Sequence, residues 1–219
     1  MEFKDKVVLI TGAGRGTGSL LAEAFANEGA SLVLNDISPQ NVDMLAADLK
    51  SRGANVQVFV EDVAKKVGVQ ALVKQAEDAF GRIDVLINHA SVEPHVPLLD
   101  MDEWDWHRVL DVNLTGVFLM MQTVGRIMRA GEGGVMINLA SLAEGTVTLD
   151  RSAYTASLYG MVGLTRQASR ELFAHNIRVH ALGRFQDTAT TIPSDLARAV
   201  LFLCSPRSAH LTGNIVNLP

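Results

Sequence analysis

The chain has 219 residues, of which 48% are hydrophobic, and its formal net charge is −5. This size suits one well-buried core, whereas a negative charge without any basic cluster argues against a nucleic-acid partner. The apolar runs are too short to span a membrane, the single cysteine Cys204 has no disulfide partner, and the first residues have no signal-peptide pattern, so we expect a cytoplasmic protein.

A short strand that leads into a glycine-rich turn is the first predicted feature. Residues 6–10 read KVVLI, a short run that is mainly apolar and β-branched, residues 11–18 read TGAGRGTG, and an apolar helical stretch follows at 19–28. A strand, a glycine turn and a helix in this order typically bind the pyrophosphate of a dinucleotide. A purely structural turn is the alternative, since any tight turn uses glycine. The candidate cofactor-binding residues in this turn are Gly12, Arg15, Gly16, Thr17 and Gly18.

An acidic residue ends the second predicted strand, at residues 31–35. Asp36 follows the glycines by about 20 residues, where a carboxylate accepts hydrogen bonds from the adenosine ribose. A carboxylate there would repel a 2′-phosphate, so Asp36 favours NAD(H) over NADP(H). Arg15 is the contrary sign, because a guanidinium in the turn could reach a phosphate, although it could equally be a solvated turn residue.

Helix-like and strand-like segments then alternate to the end of the chain. Helices are predicted at 40–52, 67–80, 102–129, 152–174 and 194–203, and strands at 56–60, 85–87, 135–139, 177–181 and 215–217. Short apolar strands separated by helices predict an α/β fold: a single domain over residues 1–219, with a doubly wound, Rossmann-type parallel sheet of seven strands and helices on both faces. The expected strand order is 3-2-1-4-5-6-7.

These motifs, in this order, resemble the short-chain dehydrogenase/reductase family nearly end to end. Thr11, Gly12, Gly16 and Gly18 fill the family's TGxxxGxG turn. The resemblance implies further cofactor contacts. They are the adenine-contacting pair Asp62 and Val63, Asn88 and Ala90 in a segment that reads Asn88-His89-Ala90-Ser91, and Thr188 for the nicotinamide carboxamide.

The same resemblance implies the catalytic residues. Ser141 and Tyr154 match the family's serine and tyrosine, and Asn113 matches the asparagine that anchors a proton-relay water. Hydride transfer to a ketone leaves an alkoxide, to which a tyrosine hydroxyl can give a proton while a serine holds the oxygen. Ser141 and Tyr154 could also persist merely as packed residues.

Position 158 departs from the family's pattern. The family has a lysine four residues after the tyrosine, where its charge favours the phenolate and its side chain holds the nicotinamide ribose. Leu158 can do neither, and its apolar side chain is expected to raise the pKa of the tyrosine further. Only residues 189–192 separate Thr188 from Pro193, where the family carries a longer substrate lid, and the family's Pro-Gly pair is missing near Gly183.

Two functions therefore remain open. The chain is a catalytically impaired NAD(H)-binding protein that supports an active relative in an oligomer, or an active NAD-dependent oxidoreductase that interconverts a secondary alcohol and a ketone, such as a 3-oxoacyl substrate, through Tyr154 and Ser141. Helix 102–129 has more apolar positions than one buried face needs, and the resemblance implies a dimer or tetramer through it and helix 152–174. The six histidines lack metal-ligand spacing, so we expect solvated or capped histidines and no metal site.

Overall fold

Seven parallel strands form one sheet in the computed structural model, which describes residues 1–139, 149–184 and 193–218. The strands follow the order β3-β2-β1-β4-β5-β6-β7, so the predicted fold class and strand order are confirmed. Their bounds are β1 Val7–Thr11, β2 Ser31–Asn35, β3 Val56–Phe59, β4 Val85–Asn88, β5 Gly134–Leu139, β6 Ile177–Arg184 and β7 Ile215–Leu218.

Helices cover both faces of the sheet. Their bounds are α1 Gly16–Asn27, α2 Pro39–Ser51, α3 Lys66–Phe80, α4 Glu103–Leu110, α5 Val117–Ala130, α6 Ser152–Leu172 and α7 Pro193–Cys204. Helix α1 begins three residues earlier than predicted from apolar periodicity, because the last glycines of the turn already belong to its first turn. Among the described helices, none is long and apolar enough to cross a membrane.

The helix predicted over residues 102–129 is divided in the structure. Asp102 caps the start of α4, where its side chain accepts a hydrogen bond from the Asp105 backbone N–H at 2.7 Å. Residues Asp111–Gly116 then form a π-helical segment before α5 begins. Such segments are rare and often lie at functional sites. This one contains Asn113, a predicted catalytic residue.

Two apolar cores lie on opposite faces of the sheet. Along β1, Val8 and Ile10 belong to the core that α1, α2 and α7 cover, whereas Val7 and Leu9 belong to the core beneath α3, α5 and α6. Burial on both faces explains why the strands read as continuous apolar runs rather than alternating ones.

The strand order reverses direction between β1 and β4. β1 pairs with β2 on one side and with β4 on the other, and all three strands run parallel. The connections leaving β1 and β4 therefore diverge to opposite faces, and a crevice opens at the carboxyl ends of these strands. Ligand sites of open α/β sheets lie in such crevices.

Candidate functional site

The glycine-rich turn leaves β1 at this crevice and enters α1. Gly12 and Gly16 have φ angles of 65° and 58°, a region that favours glycine. A Cβ at Gly18 would lie 2.3 Å from the carbonyl oxygen of Gly12, so close packing also requires glycine there. Exposed Arg15 precedes α1 without a capping side-chain hydrogen bond. The start of α1 thus offers backbone N–H groups to an anion.

Asp36 lies beside this turn at the end of β2. Its Oδ2 accepts a hydrogen bond from the Gly14 backbone N–H at 2.9 Å. Its Oδ1 accepts one from the Ser38 backbone N–H at 2.9 Å. Both oxygens of the carboxylate are therefore held in place, with the negative charge next to the glycine turn.

A cavity of about 360 Å³ opens beside the turn, at the carboxyl ends of the central strands. Five residues predicted for the cofactor or for catalysis line it: Thr17, Asn88, Ala90, Asn113 and Tyr154. The other described residues that line it are His89, Ser91, Val117, Leu139, Leu158, Met161, Leu182, Gly183 and Leu196. The fold thus brings the cofactor and catalytic candidates of distant segments into one cavity.

Asn113 ties the segment after β4 to helix α6. Its Oδ1 accepts a hydrogen bond from the Val92 backbone N–H, and its Nδ2 donates to the Val92 carbonyl, both at 2.9 Å. Nδ2 also lies 3.3 Å from Ser157 Oγ, which donates to the Tyr154 carbonyl at 2.6 Å. The side chain of Asn113 therefore fixes the turn of α6 that carries the tyrosine.

Tyr154 and Leu158 lie one turn apart on α6, and both line the cavity. Tyr154 is buried in a small apolar cluster with Val109 and Ala153, and Leu158 packs against that cluster. Among the described residues that line the cavity, none is a lysine or an arginine. Leu158 therefore packs on an apolar cluster, and no lysine or arginine among the described lining residues lies beside it in the cavity.

The comparison with known sequences decides the family. Residues 6–192 match the short chain dehydrogenase family. The chain belongs to this family. It is 31% identical over 240 residues to the 3-oxoacyl-[acyl-carrier-protein] reductase FabG of Thermotoga maritima, with 100% of this chain and 98% of that protein covered. It is 34% identical over 238 residues to the D-threitol dehydrogenase of Mycolicibacterium smegmatis, with 95% and 89% covered.

Solved structures of short chain dehydrogenases share the whole architecture. A short chain dehydrogenase from Mycobacterium smegmatis matches with a TM-score of 0.95 at 32% identity, over 100% of this chain and 93% of that one. A putative short-chain alcohol dehydrogenase from Sinorhizobium meliloti matches with a TM-score of 0.92 at 29% identity, over 99% and 95%. Short chain dehydrogenases are oxidoreductases that bind a nicotinamide dinucleotide, and the glycine cradle at the start of α1 fits the pyrophosphate of such a cofactor.

The side chain of Asn88 begins a chain of hydrogen bonds that links two strands of the sheet to helix α6. Its Nδ2 donates to Asn138 Oδ1 at 2.8 Å, and Asn138 Nδ2 donates to Thr165 Oγ1 at 2.9 Å. Asn138 is fully buried, so these bonds join β4, β5 and α6 through the core. Asn138 is not among the predicted site residues, although a single polar residue inside the apolar run 135–139 is a usable signal.

Asp62 and Val63 follow β3 at the same edge of the sheet, outside the lining of the cavity. Asp62 Oδ1 accepts a hydrogen bond from the Ala64 backbone N–H at 2.9 Å, and Val63 is buried. Asn35, which the sequence analysis missed, fastens the end of β3 to β2: its Nδ2 donates to the carbonyls of Phe59 and Glu61, both at 3.0 Å. These hydrogen bonds hold the segment that follows β3 against the end of β2, next to Asp36.

Two predicted residues, Ser141 and Thr188, lie outside the described residues, as does the short segment 189–192. Within the described part of the chain, no group of three or more histidine, cysteine or acidic side chains could hold a metal ion.

His180 is neither solvated nor capped at the surface, contrary to the expectation for the histidines. Histidines were expected to be solvated or capped, but His180 on β6 is fully buried in the core beneath α7. Its burial, assisted by the charge of Arg178, lowers its pKa to about 4. The ring is consequently neutral at ordinary pH, and its position inside the sheet separates it from the cavity.

Proposed function

We propose that this protein is an NAD(H)-binding short chain dehydrogenase whose own turnover is impaired, and that it supports an active relative in an oligomer. The observation that carries the proposal is Leu158: it lines the same cavity as Tyr154, one helical turn away, in a chain whose dinucleotide turn is intact. When bound, the nicotinamide ring would donate or accept the hydride.

The preference for NAD(H) rests on the fixed carboxylate of Asp36. Hydrogen bonds from Gly14 and Ser38 hold it beside the turn, where a 2′-phosphate would meet a negative charge at short range. Ribose hydroxyls, in contrast, could donate to it. Arg15 is exposed, so water weakens its attraction for a phosphate, whereas the Asp36 carboxylate is held in place beside the turn.

Impaired turnover follows from the chemistry of a tyrosine proton donor and acceptor. A free tyrosine has a pKa of about 10, so it needs a neighbouring cation to work as an acid and base near neutral pH. Leu158 offers none, and it packs, as Val92 and Trp106 also do, against the apolar cluster that contains Tyr154. An apolar environment disfavours the phenolate.

A shortened lid, which the sequence predicts, would support the same proposal. The alignment with the Thermotoga maritima reductase has 240 positions, more than the 219 residues of this chain, so part of that relative has no counterpart here. We place this difference at residues 188–193, where the sequence leaves four residues for a substrate lid. A shorter lid would exclude less water from the reacting atoms.

The supporting role requires an interface, which we assign to helices α4, α5 and α6. Large apolar side chains on these helices are exposed: Trp104 by 64%, Phe118 by 43% and Tyr159 by 67%. Exposed apolar side chains that lie together mark interaction sites, and we propose that these three share one surface. Short chain dehydrogenases often form oligomers, and this surface would bury its apolar side chains in one.

A second candidate function is that of an active oxidoreductase. It is favoured by the placement of Tyr154 and Asn113 in the cavity and by the activities of the relatives, a 3-oxoacyl-[acyl-carrier-protein] reductase and a D-threitol dehydrogenase. Its substrate would be a ketone or a secondary alcohol, of the 3-oxoacyl or polyol class.

Steady-state assays of the purified chain distinguish the two functions. Simple ketones, 3-oxoacyl thioesters and secondary alcohols are offered with NAD(H), first to the chain alone and then after mixing it with partners that co-purify. We expect cofactor binding with little turnover by the chain alone, and higher turnover by a co-purifying relative in its presence. Ordinary dehydrogenase rates from the chain alone would establish the active enzyme instead.

A further inference from the structure

His89 is a cavity residue to which the proposed chemistry assigns no role. Its backbone N–H and that of Ala90 donate to Thr11 Oγ1 at 3.1 Å and 3.2 Å, which fixes the start of the segment after β4. Its Nδ1 lies 3.0 Å from the carbonyl oxygen of Gly12. The imidazole also packs on the glycine turn itself, since a Cβ at Gly18 would lie 2.9 Å from this nitrogen.

The hydrogen bond to Gly12 determines the tautomer of the neutral ring. A carbonyl oxygen only accepts, so Nδ1 carries the proton and donates it, which leaves Nε2 as the acceptor nitrogen. Adding a second proton at Nε2 keeps the bond to Gly12. Protonation of His89 is therefore compatible with the observed conformation of the turn.

The surroundings of His89 disfavour protonation of its ring in the protein without cofactor. Burial lowers the pKa of His89, and the charge of Arg15 lowers it further, whereas the Gly12 carbonyl and the charge of Asp36 oppose this effect. The N-terminus of α1, against which the ring packs at Gly18, adds a partial positive charge. Among the described residues, Asp36 and Arg15 are the charged groups that act on it.

We propose that His89 is a positioning residue of the glycine turn whose protonation is coupled to dinucleotide binding. The inference rests on the proposed cofactor site. A pyrophosphate at the start of α1 would bring two negative charges to the same turn that His89 supports. Negative charge favours the imidazolium, so the bound protein takes up a proton. By linkage, affinity for the dinucleotide then increases as the pH falls.

Calorimetric titration with NAD⁺ tests the coupling. From about pH 8 to about pH 5.5, we expect the affinity of the wild type to increase about threefold to tenfold, as two charges within several ångströms in a partly buried site would give. Repeating the titration near pH 6 in buffers of different ionisation enthalpy measures the protons taken up directly.

Two variants identify the residue responsible. His89→Asn keeps an amide that can donate to the Gly12 carbonyl but cannot titrate, so its affinity should not depend on pH in this range. His175→Asn is the matched control, because His175 is exposed after α6, and it should behave like the wild type. A purely structural role for His89 would change the affinity without removing its pH dependence.

The outcomes separate this inference from the proposed function. NAD⁺ binding without proton uptake, or with the same pH dependence in His89→Asn, overturns the coupling and leaves the cofactor site in place. If no NAD⁺ binds at any pH, the proposed function fails and the coupling fails with it. Should His89→Asn not fold, the proton uptake of the wild type still decides, because its absence alone refutes the coupling.

Discussion

Leu158 is the side chain at which a single substitution tests the proposed impairment. Leu158→Lys would place an ammonium one helical turn from Tyr154, where it favours the phenolate and can reach a bound ribose. We expect NAD-linked turnover to rise by about 10²- to 10⁴-fold, the range typical of a positioned acid or base. Water that a short lid admits to the reacting atoms would reduce this gain. Steady-state assays on 3-oxoacyl thioesters and secondary alcohols measure it.

A matched control for this substitution adds a lysine outside the proposed interface. Ala47→Lys adds the same charge at an exposed position of α2, on the opposite face of the sheet, and should leave turnover at the wild-type level. If the wild type already turns over at ordinary rates and Leu158→Lys changes nothing, another group performs the lysine's role. If neither the wild type nor Leu158→Lys is active although both bind NAD(H), the defect extends beyond position 158.

Asp36 carries a prediction about cofactor choice. The wild type should bind NADH more tightly than NADPH, because the 2′-phosphate would meet a carboxylate held by Gly14 and Ser38. Asp36→Ala should reduce this preference by about tenfold, which corresponds to about 1.4 kcal/mol of lost discrimination. Fluorescence titration with both reduced cofactors gives the ratio. Asp43→Ala, at an exposed position of α2, should leave the ratio unchanged. Equal binding of both cofactors by the wild type would mean that Arg15 dominates.

The sequence predicts the residue types of the site better than their contacts. The positions of Gly12 and Gly18 could be foreseen, because a tight turn against a strand leaves no room for a Cβ. The hydrogen bonds of Asn88 could not be foreseen, because its partner Asn138, which in turn bonds to Thr165, comes from another segment of the chain. Contacts between distant segments depend on how the elements pack, which local pattern does not encode.

At the scale of elements, strand β6 places a titratable group inside the core. His180 is fully buried beneath α7 and its pKa is lowered to about 4, so the folded protein keeps the ring neutral. The unfolded chain binds a proton at an ordinary pKa of about 6.5. The contribution of His180 to the free energy of unfolding is therefore fully present above about pH 6.5. It is lost as the pH falls toward about 4, by roughly 3 kcal/mol in total.

Urea unfolding at several pH values measures this dependence. His180→Asn, which removes the titrating ring but keeps a polar side chain, should lose less stability between neutral and acidic pH than the wild type. His210→Asn changes an exposed histidine and should retain the full dependence. Identical acid sensitivity in the wild type and His180→Asn would show that a different group, such as the ion-paired carboxylate Asp84, controls it.

Helix boundaries show a further limit of sequence patterns. Apolar spacing predicts one helix over 102–129, but a π-helical segment at Asp111–Gly116 interrupts it. The wider π-helical turn rotates the following side chains by only a fraction of a turn. The apolar spacing therefore still reads as one continuous helix. Within this segment, Asn113 bonds to the backbone of Val92 and to Ser157, and contacts between segments so distant in sequence are not visible in local apolar spacing.

For the whole molecule, the strand order could be predicted because few arrangements satisfy alternating strands and helices. Right-handed crossovers and burial of both sheet faces restrict such a chain to few topologies, of which the doubly wound sheet is a common one. The seven described strands form this sheet. The assembly of several copies follows from no such rule, since it depends on which apolar side chains remain at the surface after folding. Trp104, Phe118 and Tyr159 are such side chains on α4, α5 and α6.

We therefore predict a dimer or tetramer through these helices. Light scattering at micromolar concentration should give two or four times the 23.6 kDa of one chain. Phe118→Glu combined with Tyr159→Glu should lower this mass, because charges on two exposed apolar positions oppose burial in an interface. Met44→Glu, on helix α2 on the opposite face of the sheet, is the matched control and should leave the mass unchanged, since Met44 is also 68% exposed. A monomeric wild type would contradict both this interface and the role of a supporting subunit, whereas a mass lowered equally by Met44→Glu would place the interface elsewhere.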